Sequence, residues 1–163
     1  MMDKYTISVL VENNAGVLSR IAGLFSRRGY NIESLSVGVT EDSKISRMTI
    51  TGFADEQTLE QIKKQLNKLI EVIKVVQIQQ EDSVYRELAM IKVKADNSTR
   101  SSIVEIANIF RASIIDVAFG SLTLEVTGDE GKIEAFIKMI KPYGIVELLR
   151  TGAAVLQRGE QGI

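Results

Sequence analysis

Two asparagines and a glycine are the residues of this 163-residue chain whose types and spacing point most directly to a ligand. Asn13 and Gly16 stand in the polar stretch "ENNAGVL", immediately before a run with the apolar spacing of a helix, and Asn31 follows that run. The first amides of such a helix, around Ala15 to Leu18, have no partner inside the helix and face outward at the positive end of its dipole. A carboxylate suits that position, and Gly16 lets the backbone approach it without a Cβ in the way.

The same residues also have a purely structural interpretation, because asparagine caps helices and glycine relaxes tight turns. On the first loop alone this is the simpler interpretation. Asn31 favours a ligand, because it opens a predicted strand, where asparagine is disfavoured, although it could also close the turn after the helix.

A second subunit would bring the two asparagines together. If the second strand of one subunit meets the first loop of its mate, the carbonyl of Asn31 accepts from an ammonium group while the loop amides bind a carboxylate. Leu18 and Ile32 then supply apolar walls. This constellation predicts a site for a free α-amino acid with a small aliphatic side chain, and it requires neither a metal nor a nucleophile.

The elements that must position these residues follow from the hydrophobic periodicity of the first 80 residues. An alternating strand at 4–12 leads to an amphipathic helix at 17–28, after which Gly29 is expected as a left-handed C-cap. Asp55 caps the second predicted helix. The remaining elements of this half are two strands, that helix and a last strand, at 31–40, 45–53, 56–68 and 71–79. The order β-α-β-β-α-β is that of the ferredoxin-like motif.

The same order returns after Val84, with Asp129 capping the last helix. The predicted elements are, in order, a strand, a helix, two strands, a helix and a strand, at 84–95, 101–112, 113–120, 121–128, 129–144 and 145–152. The chain is therefore predicted to be an α+β protein with two ferredoxin-like βαββαβ modules in tandem. We place the domains at 1–80 and 81–163, joined within "QQEDSV", with a short tail after Gly152.

The second copy lacks the features that suggest a ligand in the first. Its first loop, "ADNSTRSS", has no glycine and carries Arg100, and its second strand begins with "SIID", without an asparagine. We therefore expect one ligand site per chain, with the second copy serving as a structural repeat or a docking surface. A sheet with both helices on one face leaves its other face and its edges open, which favours a homodimer. A monomer whose two modules pack on each other is the alternative.

Composition excludes several functions. Hydrophobic residues make up 45% of the chain and charged residues 25%, the net charge is −1, and neither histidine nor cysteine occurs. These values disfavour nucleic-acid and membrane binding, metal binding and catalysis.

No apolar run long enough to span a bilayer and no signal peptide is seen, so a cytoplasmic location is expected. "GDEGK" lacks the spacing of a phosphate-binding loop, and the aromatic signature of an RNA-recognition sheet is missing.

The stretch "SVLVENNAGVLSRIAGLFSRRGYNIESLSV", followed by "SRMTI", resembles the N-terminal ACT domain of the small regulatory subunit of acetolactate synthase. The stretches "RELAMIKVKA", "IFRASIIDV" and "TLEVTG" are similar to the second domain of that family. The resemblance implies a non-catalytic subunit that activates a large catalytic subunit and confers feedback inhibition by valine in branched-chain amino-acid biosynthesis. It also implies that residues 1–80 bind the effector and dimerise.

The family's effector site, transferred by motif, comprises Asn13, Ala15, Gly16, Val17, Leu18, Asn31 and Ile32. The resemblance implies no cofactor in this chain, because thiamine diphosphate, magnesium and FAD belong to the catalytic partner. The competing hypotheses are a stand-alone amino-acid sensor that regulates another partner, an enzyme in its own right, and a nucleic-acid-binding sheet.

Overall fold

The computed structural model describes all residues from Met1 to Ile163, which form two compact units. The first unit comprises residues 1–84 and 153–163, and the second comprises residues 85–152. The sequence-based division into 1–80 and 81–163 differs from this arrangement at the tail, because residues 153–163 pack with the first unit. The α+β class and the two tandem βαββαβ modules are confirmed.

The first unit contains one antiparallel sheet and two helices. Its elements are β1 (Asp3–Glu12), α1 (Val17–Arg27), β2 (Ser34–Val39), β3 (Ile45–Ala54), α2 (Glu56–Asn67) and β4 (Val72–Gln77). The sheet order is β2-β3-β1-β4, which leaves β2 and β4 at the edges. Alternate residues of β1, among them Ile7 and Val9, are fully buried against an apolar stripe of α1 that includes Ile21 and Phe25. The two periodicities of the sequence thus produce one core between the sheet and the helices.

The opposite face of this sheet carries small hydroxyl side chains, and it was expected to be open. Ser8 and Thr49 lie on this face as a cross-strand pair, yet both are buried. The chain's own tail reaches the face, because the guanidinium of Arg47 donates to the carbonyl of Val155 over 2.8 Å. Val155 lies in a short strand, β9 (Ala154–Gln157), that the sequence analysis did not predict.

The second unit repeats the first. Its elements are β5 (Ser83–Lys94), α3 (Arg100–Ile109), β6 (Ser113–Ala118), β7 (Ser121–Gly128), α4 (Glu130–Ile140), a 3₁₀ turn (Lys141–Tyr143) and β8 (Ile145–Arg150). The sheet order β6-β7-β5-β8 corresponds to that of the first unit. Arg150 pairs with the buried carboxylate of Glu87 through two hydrogen bonds, of 2.7 and 3.0 Å.

Predicted and observed boundaries differ mostly at element ends. The second strand begins at Ser34 rather than residue 31, so Asn31 lies in the connection before it and not in the strand. The last helix ends at Ile140 because Pro142 follows in a 3₁₀ turn. Asp55 and Asp129 cap their helices as predicted, accepting from the amides of Thr58 and Lys132. Gly29 has the expected left-handed conformation, with φ +70°.

Candidate functional site

The connection between β1 and α1, residues 13–16, is here named the first mouth. Its backbone is fixed to neighbouring turns, because the amide of Asn13 donates to the carbonyl of Lys44 over 2.7 Å. The amide of Glu12, the last residue of β1, donates to the carbonyl of Glu71 over 2.8 Å. The chain therefore enters α1 from a defined position at the end of the sheet.

The start of α1 has several amides without an acceptor. Gly16 is the N-cap residue, with φ +87°, and no side chain caps the helix. The amides of Val17 and Arg20 donate to the carbonyls of Asn14 and Gly16, whereas no group of the chain accepts from the amides of Ala15, Gly16, Leu18 and Ser19. No acidic residue lies in the first turn, and a Cβ added at Gly16 would meet no atom within 4 Å. The positive end of the helix dipole is thus open and uncompensated.

The two asparagines of the first mouth do not cap the helix, contrary to that part of the structural interpretation, whereas the positive φ of Gly16 agrees with a glycine in a tight turn. The Nδ2 group of Asn13 donates to the carbonyl of Ser43 over 2.9 Å. That of Asn14 donates to the Glu12 carboxylate over 2.9 Å. The Asn13 side chain therefore braces the β2–β3 turn, and its carbonyl oxygen receives no hydrogen bond from the chain.

The predicted apolar neighbours of the first mouth separate into exposed and buried groups. Leu18 is 45% exposed on the first turn of α1, and Ala15 is also exposed. Val17 is 4% exposed, and its side chain belongs to the core. Val17 therefore offers no side chain to a ligand, and its amide already donates to the carbonyl of Asn14. Ile32 is partly buried and packs against the core from the α1–β2 connection.

Asn31 lies in that connection, between two backbone anchors. The amide of Tyr30 donates to the carbonyl of Phe25 over 2.9 Å, and the amide of Glu33 donates to the carbonyl of Thr51 over 2.8 Å. The Asn31 side chain is exposed and makes no hydrogen bond with the chain. An unpaired amide group is thus presented from a backbone segment that is fixed on both sides.

Within one chain the first mouth and Asn31 lie at opposite ends of the sheet. Glu12, next to the first mouth, pairs with Ile45, whereas Asn31 lies beside Gly52, which pairs with Tyr5. The seven-residue step from Tyr5 to Glu12 spans about 23 Å at roughly 3.3 Å per residue. One chain therefore cannot bring these predicted site residues around one small ligand, and the predicted arrangement would need a second copy.

The equivalent connection of the second unit, residues 95–99, is named the second mouth, and it contains its own carboxylate. Oδ1 of Asp96 accepts from the amides of Ser98 and Thr99 over 2.8 and 3.0 Å, and from both of their hydroxyls. These hydrogen bonds, led by that of the Ser98 side chain, hold the pKa of Asp96 below its usual range. Arg100 donates to the carbonyl of Phe119 over 2.7 Å. The second mouth is therefore closed by internal contacts.

Metal binding and membrane crossing each require particular groups of residues. No three His, Cys, Asp or Glu side chains form a cluster that could hold a metal ion. None of the helices combines the length and the apolar composition that crossing a membrane requires. The first mouth and Asn31 remain the candidate site, and the amides around Gly16 and the asparagine oxygens have the chemistry to accommodate a carboxylate and an ammonium group.

Two family models match the chain, one in each half. Residues 7–74 match the AHAS small subunit-like ACT domain, and residues 86–159 match the small subunit of acetolactate synthase. A Mycobacterium bovis protein named acetolactate synthase small subunit is 56% identical over 98% of this chain and 95% of its own length. An Archaeoglobus fulgidus protein named as a probable acetolactate synthase small subunit is 57% identical over 97% of this chain and 99% of its own length.

A solved structure is similar along the whole chain. The crystal structure of the acetolactate synthase small subunit from Thermotoga maritima has a TM-score of 0.90 to this chain and is 40% identical. The match covers 98% of this chain and 99% of that one. The likeness thus extends over both units and the tail.

Proposed function

The chain belongs to the family of acetolactate synthase small subunits, and from this premise we propose that it binds valine between two copies of itself. In this way it would confer feedback inhibition on its catalytic large-subunit partner. The observation that carries the proposal is the set of unpaired amides at the first mouth. A valine carboxylate would accept from the amides around Gly16, as the carboxylate of Asp96 accepts from the amides of the second mouth.

The ammonium group of valine would be bound by asparagine oxygens. The Asn13 carbonyl of one copy and the Asn31 side chain of the other have no hydrogen-bond donor within their own chains. Leu18 and Ile32 would flank the isopropyl group, with Ala15 beside the carboxylate. Val17 would hold the start of the helix in place through its buried side chain. One methylene is worth roughly 1–3 kcal/mol in a hydrophobic pocket, so leucine and isoleucine should bind more weakly than valine.

The edge strand β2 is the part of the first unit best suited to form the homodimer. Its sequence, "SLSVGV", has no charged residue, its register with β3 is regular, and Val37 and Val39 are exposed. The other edge, β4, carries Lys74, and its pairing with β1 shifts register at Leu10. Charge and irregular register are features that protect edges from pairing.

Antiparallel pairing of two β2 strands about a central two-fold axis would bring the halves of the site together. Ser34 would then lie opposite Val39 of the second copy. Asn31, three residues before Ser34, would lie near the turn that follows β2 in that copy. This is the turn whose Ser43 carbonyl accepts from Asn13 within each chain. The symmetry creates two equivalent sites per dimer, one at each first mouth.

Valine would act by favouring one arrangement of the dimer, to which the catalytic subunit responds. An effector shifts such an equilibrium only by its differential affinity for the two states. A shift from 1:99 to 99:1 needs about 5.5 kcal/mol, which two bound effectors would share. Thiamine diphosphate, magnesium and FAD would remain with the catalytic subunit, and we expect the complex to operate in the cytoplasm.

Calorimetric titration of the purified chain with valine tests the proposal, and sedimentation of the same sample tests the assembly. We expect one valine per chain in a dimer, weaker binding of leucine and isoleucine, and valine inhibition of the catalytic subunit when this chain is present. A chain that binds no valine at millimolar concentration, or that binds it as a monomer, would contradict the proposal.

A further inference from the structure

A glycine outside the first mouth controls how closely the Asn31 segment approaches the sheet. Gly52 lies in β3, directly opposite Tyr5 of β1. A Cβ at Gly52 would lie 2.5 Å from the hydroxyl oxygen of Tyr5 and 2.9 Å from the carbonyl oxygen of Asn31. Neither distance is tolerated without movement of one of the atoms.

The tyrosine cannot easily move aside. Tyr5 is 4% exposed and belongs to the first core, and its hydroxyl is buried without a hydrogen-bond partner. This burial raises the pKa of Tyr5 to about 12. Because the ring packs among large apolar side chains, a displacement of its hydroxyl end would disturb the core.

The Asn31 carbonyl is a backbone atom held by the anchors at Tyr30 and Glu33. A side chain at Gly52 would therefore push the whole α1–β2 connection outward and would change the direction in which the Asn31 amide points. The Asn31 side chain is exposed and makes no hydrogen bond within the chain that could restore its position.

We infer that Gly52 is a positioning residue of the effector site: by leaving room for the Asn31 carbonyl against β3, it fixes the Asn31 side chain where it meets the ligand's ammonium group. Gly52 does not touch the ligand. The inference rests on the proposed function, since Asn31 binds an effector only if that function is right. It adds a determinant of affinity that lies in the middle of the fold, outside both loops of the site.

The test compares Gly52→Ala with Gly23→Ala by calorimetric titration with valine and by thermal unfolding. Gly23 lies in α1 of the same unit, and a Cβ there meets only a flexible arginine side chain, at 3.7 Å. We expect Gly52→Ala to weaken valine binding about tenfold and Gly23→Ala to bind as the unmodified chain does.

A double variant separates positioning from a general loss of stability. Tyr5→Leu combined with Gly52→Ala removes the two closest clashes, with the Tyr5 ring and hydroxyl, and leaves the clash with the Asn31 carbonyl. We expect its unfolding temperature to exceed that of Gly52→Ala while its valine affinity stays low. This comparison applies equally if Gly52→Ala alone proves too unstable to titrate.

The outcomes distinguish the two levels of the proposal. If the unmodified chain and Gly23→Ala bind valine and Gly52→Ala binds it equally well, the positioning role of Gly52 is wrong and the proposed function stands. Recovery of affinity together with stability in the double variant would also overturn that role. If the unmodified chain binds no valine, the proposed function fails and this inference fails with it.

Discussion

The first and second mouths occupy the same place in the repeated fold and differ in what neutralises their amides. In the second mouth the carboxylate of Asp96 accepts from two amides and two hydroxyls of the following residues. In the first mouth Gly16 leads the helix, no acidic residue lies in its first turn, and the amides around Gly16 have no acceptor. One copy of the fold supplies its own anion, and the other has no anion of its own, as the proposed ligand site requires.

A second contrast concerns the edge strands β2 and β6, which are equivalent in the two sheets. β2 is uncharged and pairs regularly with β3, whereas β6 carries Asp116 and its register with β7 shifts there. Charge and irregular pairing disfavour edge-to-edge association. The first unit therefore has both the unpaired amides and the edge strand suited to self-association. A ligand site shared between two copies would require both features in the same unit.

The strongest test of the contrast between the mouths gives the first mouth its own carboxylate. Gly16→Asp should reduce valine affinity more than 100-fold, a loss of about 2.8 kcal/mol, because the new charge lies where the ligand's carboxylate should bind. The fold should persist at a modest cost in backbone strain, because a Cβ at Gly16 (φ +87°) meets no atom within 4 Å and aspartate adopts positive φ more readily than most residues. Calorimetry and circular dichroism measure the two effects.

Gly16→Asn is the matched control, since it has the same shape without the charge. We expect it to lose only a few-fold in affinity. An equal loss in both variants would mean that bulk at Gly16, and not charge, prevents binding, and would remove the parallel with Asp96.

The contrast between the edges is tested by one lysine in each. Val37→Lys, in β2, should dissociate the dimer and abolish valine binding, because a lysine on an edge strand opposes pairing. Val117→Lys, in β6, should leave the dimer intact, although Val117 is also exposed. Sedimentation velocity measures both. A dimer that survives Val37→Lys and dissociates with Val117→Lys would assign association to the second unit.

A smaller effect is expected from the second loop of the site. Asn31→Ala should weaken valine binding by about 1–3 kcal/mol, because it leaves the ammonium group without one acceptor. Asn14→Ala is the control, since that side chain contacts the neighbouring Glu12 and has no assigned role in binding. Equal titration curves for Asn31→Ala and the unmodified chain would exclude Asn31 from the site.

The second mouth should respond to acid in a way that the first does not. Because its hydrogen bonds lower the folded-state pKa of Asp96, this group stabilises the fold above its unfolded-state pKa, about 3.9, and the effect is lost as pH falls through the lower folded-state value. The protection factors of the Ser98 and Thr99 amides, corrected for intrinsic exchange, should therefore fall as pH drops below that unfolded-state value. In the Asp96→Asn variant the protection of these amides should not respond to this titration. An equal acid dependence in both proteins would contradict the stabilising role of the Asp96 carboxylate.

The sequence predicted the elements well because each half alternates between periods of 2.0 and 3.6 residues with helix caps at the boundaries. Asp55 and Asp129 precede their helices, and each accepts from the amide of the residue three positions later, which is a local pattern that sequence alone reveals. The tail was not foreseen as part of the first unit, because the contact between Arg47 and Val155 joins residues 108 positions apart. No local signal encodes such a contact.

The residue types of the candidate site were predictable from the sequence, whereas the hydrogen-bond partners and the burial of its side chains were less so. Asn13 and Gly16 were identified from helix-start chemistry, but the partners of the Asn13 and Asn14 side chains depend on a turn 30 residues away and on rotamer choice. Val17 was included by position, yet its side chain is buried. The role inferred for Gly52 was invisible in the sequence, because it depends on the close approach of three segments.

The most direct measurement of the central claim is a structure of the chain determined with saturating valine. We expect a carboxylate about 3 Å from the amides around Gly16, with the ammonium group beside Asn31 of a second copy joined through β2. Valine bound elsewhere, or a first mouth that stays empty while the chain is dimeric, would contradict it.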